Sequence, residues 1–193
     1  MLALPHPDWL YHHLRVTGEA DAVAAFRTAA AGAGVIPWTH DLGPAADIWF
    51  DLLVAPPAPQ RRSLSVEGAR MLAGQLRDAA EAHQRRVAMQ AATGSGCLLD
   101  LHRLLPVPAA LLRRGPEHPA TRAWLWENWG TIWPLRGVVA LPVPRSGQPR
   151  RHDDRLFWVG FWSADWSPWP ALATLRTGWP TLRFELQPRY DDG

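Results

Sequence analysis

Asn128 and Asp165 are polar side chains set among indoles, the first in WLWENWGTIW (124–133) and the second in FWSADWSPW (161–169). An amide and a carboxylate in such company suit a binding cleft, where flat aromatic faces hold a ligand and a few polar atoms orient it. The candidate ligand-binding set is Trp126, Asn128, Trp129, Thr131, Trp133, Asp165 and Trp166. A structural reading competes with this one. Gly130 suits a left-handed helix end, Thr131 and Asn128 suit the exposed backbone groups there, and Asp165 suits a turn that also satisfies indole N–H donors.

Other reactive residues form no motif. His12 and His13 adjoin on a predicted strand and so point to opposite faces, which spoils a shared metal site but leaves one ring outward. His6, His40, His102 and His118 are scattered at no ligand spacing, so no metal and no cofactor are expected. Cys97 stands alone after Gly94, Ser95 and Gly96; with no base beside it, it reads as a small buried hydrophobe in a reducing compartment. There is no glycine-rich phosphate loop, GxSxG elbow or HExxH, and the catalytic residues of an enzyme are unknown from sequence. A small-molecule enzyme using His13 or Asp165 as general base is the third-ranked reading. Nine of the twelve tryptophans lie between Trp124 and Trp179, which fixes a fold better than it fixes a reaction.

Elements that would position these residues follow from periodicity. WLYHHLRVTG (9–18) alternates and ends in Gly, a strand; Ala20 to Ala31 places Val23, Phe26, Ala29 and Ala30 at helical spacing. Residues 35–62 hold five prolines and read as loop with one short helix at Ala45–Leu53. Ser65 to Gln90 is a helix capped by Ser65, with Ala69, Leu72, Leu76, Ala79, Ala80, His83 and Val87 inward and a mixed-charge solvated face outward. The segment from Cys97 toward Pro106 reads as a strand, followed by a short helix to Gly115 and another from Pro119 to Gly130. Strands at Gly137–Val143 and Leu156–Trp162 flank the polar turn 144–155; a helix opened by Ser167 and Pro168 runs to Gly178, and TLRFELQP (181–188) is the last strand.

Strand–helix at the start and strand–strand–helix–strand at the end predict an α+β fold: a ferredoxin-like antiparallel sheet covered by helices, with a helical insertion at about residues 35–130 in a single domain. Length and 47% hydrophobic content suit one globular core, and no apolar run reaches the roughly 20 residues of a membrane span. The N-terminus lacks a basic start with an apolar run behind it, so a cytoplasmic location is the default expectation. All twenty basic residues are arginine, yet the net charge of +2 does not by itself argue for nucleic acid.

PDWLYHHLRVTG (7–18), LLDLHRLLPVP (98–108), WENWGTIW (126–133) and FWSADWSPWPALATLRTGWPTLRFEL (161–186) together resemble the successive signatures of phage- and plasmid-borne proteins with a YubB-type ferredoxin-like domain. The resemblance implies the fold and no activity. Where that family has Trp-Gly-Thr-Lys-Trp, Ile132 replaces the lysine, and its Phe-Asp-Phe-Asn is Leu99-Asp100-Leu101-His102 here, so no role of the lysine carries over. The leading expectation is a non-catalytic binding or accessory module of a mobile element, with a protein partner or self-association open to it. The alternative is an RNA- or single-stranded-DNA-binding protein, or a metal-independent ribonuclease, using Tyr11, His13, Arg15, Phe157 or Trp158, and Arg183 on the strands.

Overall fold

In the computed structural model, residues 7–55, 64–94, 96–142 and 154–189 are described. Strand β1 (Trp9–Thr17) turns every second side chain inward: His12, Leu14 and Val16 are buried. It pairs antiparallel with β3 (Leu156–Ala164) from Trp9↔Ala164 to Thr17↔Leu156, and with β4 (Arg183–Arg189) on its other side. The short strand β2 (Arg136–Ala140) joins the outer edge of β3 through a bulge, giving the order β2-β3-β1-β4. That order in an antiparallel sheet is the split βαβ arrangement that the sequence predicts.

Helices α1 (Ala20–Ala30) and α7 (Trp169–Gly178) cover the inner face. Phe26 of α1 is fully buried and meets Phe157, Phe184 and Trp179 edge-on at 5.3–5.5 Å. Leu172 and Leu175 of α7 close over Leu14, Phe161 and Leu186. Edge-to-face rings on aliphatic neighbours give dense packing, so the core lies between this sheet face and the two helices.

Between α1 and β2 come α2 (Gly43–Val54), α3 (Val66–Thr93), α4 (Leu101–Leu104), α5 (Ala109–Leu112) and α6 (Pro119–Trp129). The Ser65 hydroxyl accepts from Gly68 N–H, the expected cap of α3, and the Arg77–Asp78, Arg77–Glu81 and Arg85–Glu81 pairs make its solvated face. The expected inward stripe differs: Ala69 and Ala73 alone are buried on α3, while Leu76 and Ala79 are exposed. This helix packs on α2, and Gln84 and Gln90 tether it to the backbone carbonyls of His40 and Ala33. A helix with one partner helix buries only the small residues at that contact.

The strand expected from Cys97 toward Pro106 does not form. Cys97 makes one bridge with Gly32, and then Asp100 starts α4 by accepting from His102 N–H and Arg103 N–H while also binding Gly34 N–H. A buried carboxylate with three backbone donors favours the helix start over a ladder. Gly130 closes α6 at φ 75, and a Cβ there would strike the Pro170 ring, so only glycine fits this crossing of α6 and α7. Most of the turn 144–155, and Val143 of the expected strand, lie outside the described residues.

Candidate functional site

Inward alternation of β1, β3 and β4 forces the opposite set of side chains onto the outer face. Tyr11, His13, Arg15, Trp158, Gly160, Trp162, Arg183, Glu185, Gln187 and Arg189 lie there by register. Helices α1 and α7, which make the main helix contacts with the strands, are both on the other side. The outer aromatics form one connected row across the two central strands. Trp162 lies 4.9 Å from Tyr11, Tyr11 5.3 Å from His13, and His13 6.0 Å from Trp158, ring centroid to ring centroid. Gly160 makes this possible, because a Cβ there would occupy the space of the Tyr11 hydroxyl and ring.

Arginines frame the row. The Arg136 guanidinium lies 4.1 Å over the Trp9 ring and 5.9 Å from Trp133, a stacked cation at the end near Trp162. Arg189 donates from Nε to Nδ1 of His13. Burial, and secondarily the Arg189 charge, hold the His13 imidazole below its ordinary pKa, so near pH 7 it is a neutral ring and a stacking surface. At the β4 edge Arg15 and Arg183 both pair with Glu185. This set contains Tyr11, His13, Arg15 and Arg183 of the sequence reading and resolves its open choice: Phe157 is in the core, and Trp158 is on the face. Trp9, Arg136, Trp162 and Arg189 were missed by sequence reasoning, although continuing the alternation past Trp158 points to Trp162.

The expected cleft between 126–133 and 165–166 is taken up by structural contacts. Trp129 is fully buried, with its indole N–H on the Leu105 carbonyl at 3.0 Å. Asn128 donates to the Trp124 carbonyl one turn back, and buried Thr131 donates to the Ala164 carbonyl, tying the end of α6 to the end of β3. Asp165 adopts φ 62 and exchanges two bonds with Asp8, its carboxylate accepting from Asp8 N–H at 3.0 Å. Such a conformation costs on the order of 1–3 kcal/mol and persists because the turn fixes the start of β1. Trp126, Trp133 and Trp166 are exposed, and of these Trp133 adjoins the Arg136 stack.

His12 and Ser167 form a second polar group, inside the protein. The Leu10 carbonyl can only accept, so Nδ1 of His12 carries the proton, and Nε2 accepts from the Ser167 hydroxyl at 2.8 Å. Those are the distances of a nucleophile and its base, but His12 is fully buried, Ser167 is 5% exposed and no substrate reaches the hydroxyl. The pair fastens the start of α7 to β1. It also explains why Ser167, expected to cap that helix, makes no side-chain cap bond. Burial pushes the His12 imidazole below its ordinary pKa and the Cys97 thiol above its own, so both are neutral near pH 7. Among the described residues, no three His, Cys, Asp or Glu side chains stand close enough to share a metal ion, and no helix is long and apolar enough to cross a membrane.

No protein-family model matches the chain, and no curated protein does. Its fold is similar to the crystal structure of protein api92 from Yersinia pseudotuberculosis, family model DUF1281, with a TM-score of 0.50 and 14% identity over 97% of this chain and 92% of that one. At that identity the likeness is one of fold.

Proposed function

We propose that this chain is a non-catalytic binding module that takes single-stranded nucleic acid on the outer face of its sheet. The observation that carries this reading is the Trp162–Tyr11–His13–Trp158 row on the central strands, bordered by Arg15, Arg136, Arg183 and Arg189. Bases stack on such rings in a sequence-tolerant way, and guanidinium groups bind phosphate in two-pronged fashion. The chain's net charge of +2 understates the face, where four arginines stand against Glu185. A ribonuclease would need an acid and a base at the strand, and the Nδ1 lone pair of His13, the histidine of the row, is taken by the Arg189 N–H, which leaves the neutral ring no free basic nitrogen. An accessory role on a phage or plasmid, the setting of the YubB-type proteins that the chain resembles, and a cytoplasmic location belong to the same proposal.

Fluorescence anisotropy with a labelled single-stranded oligonucleotide tests it. Binding should weaken steeply as salt rises, because phosphate contacts release counterions, and should be lost in the Arg15→Ala, Arg183→Ala double variant. Undetectable binding of the unaltered protein at low salt would overturn the proposal.

A further inference from the structure

Glu185 is the one acidic side chain set between the two arginines at the β4 edge, and its position is specific. It is the direct cross-strand partner of Arg15. Its Oε2 lies 3.4 Å from Arg15 Nη1 and its Oε1 lies 2.8 Å from Arg183 Nη2, so each oxygen holds one guanidinium. A phosphate bridging the same two arginines would present two oxygens in the same manner. The other cross-strand partner of Arg15 is Trp158, the last ring of the aromatic row, so the two-arginine fork adjoins the place where a base would stack.

We infer that Glu185 is a built-in competitor for the phosphate of a bound strand, and thereby sets the affinity and salt dependence of the face. The inference rests on the binding reading above. Arg15 and Arg183 are 54% and 78% exposed, so their pairs with Glu185 are screened and weak enough for a phosphate to displace. With no strand bound, the carboxylate holds both guanidinium groups in place. On binding, a phosphate takes the fork, its neighbouring base lies on Trp158, and Glu185 turns to water.

Glu185→Gln keeps the shape and removes the competing charge. Anisotropy titrations with a labelled single-stranded oligonucleotide at several salt concentrations should show Glu185→Gln binding tighter than the unaltered protein by roughly five- to tenfold at low salt. The slope of log affinity against log salt should steepen by about 0.7, the contribution of the one phosphate held in the fork. Glu117→Gln changes the net charge equally but frees Arg122, near the start of α6, and should leave both quantities as they were. If the unaltered protein binds and Glu185→Gln binds no tighter than Glu117→Gln, the competitor inference is wrong and the platform stands. If neither protein binds at low salt, the platform reading itself falls. Thermal unfolding confirms that each variant is folded, and Glu185→Thr, which suits a strand, serves should the Gln variant unfold.

Discussion

Tyr11 is one of the two inner rings of the row, touching Trp162 on one side and His13 on the other, and Tyr11→Ala is the perturbation that strikes it hardest. Loss of one base–aromatic stack costs about 1–3 kcal/mol of binding. Trp162, 39% exposed, also loses the neighbour that holds it, which places the expected loss near 2 kcal/mol, about thirtyfold in affinity. Tyr11→Phe keeps the ring and should bind within about twofold of the unaltered protein, since stacking needs the π-face and not the hydroxyl. Trp126→Ala is the control: Trp126 is 46% exposed, but it stands on α6 and not in the row, and its removal should leave affinity unchanged. Anisotropy at one fixed low salt concentration reads all three, with circular dichroism to establish folding. A folded Tyr11→Ala protein that binds as well as the original would refute the stacking argument, as would a Trp126→Ala protein impaired to the same degree.

Stability carries two further predictions. Ser167→Ala leaves Nε2 of buried His12 without its donor, and should cost about 1–3 kcal/mol in urea unfolding, with ligand affinity unchanged; an unchanged urea midpoint would show the pair to be idle. The folded-state pKa values of His12, His40 and His102 are all lowered, chiefly by burial, against an unfolded value near 6.5. The unfolded chain therefore binds more protons in the window between them, so stability should be complete above about pH 7 and fall as pH drops through 6.5 toward the folded values. His12→Asn should make that fall shallower, and a midpoint that is flat or rising from pH 7 to 5 would contradict the burial argument.

Much of the fold was legible because periodicity encodes it locally. His12, Leu14 and Val16 alternate with Tyr11, His13 and Arg15, and this reading of β1 gave both its inner and its outer face. Pro119 and Gly130 likewise bracket α6. What was not legible depends on partners distant in sequence. His12 meets Ser167 across 155 residues, so Ser167 read as a helix cap; Asp100 binds Gly34, so α4 read as a strand. The α3 stripe has a true helical period, but the sequence does not say that the helix leans chiefly on α2. The 126–133 cluster reads as a cleft because tryptophan count is visible in sequence, whereas its exposure is not. Trp129 is in the core, and Trp162 is on the face.

Ultraviolet crosslinking of a labelled single strand to the intact protein, with the crosslinked peptides mapped by mass spectrometry, tests the use of the outer sheet face most directly. Crosslinks are expected within residues 9–17 and 156–164, at Tyr11, Trp158 and Trp162, and should disappear with excess unlabelled strand or high salt. Crosslinks confined to α2, α3 or the exposed Trp126 of α6, with β1 and β3 unlabelled, would contradict it.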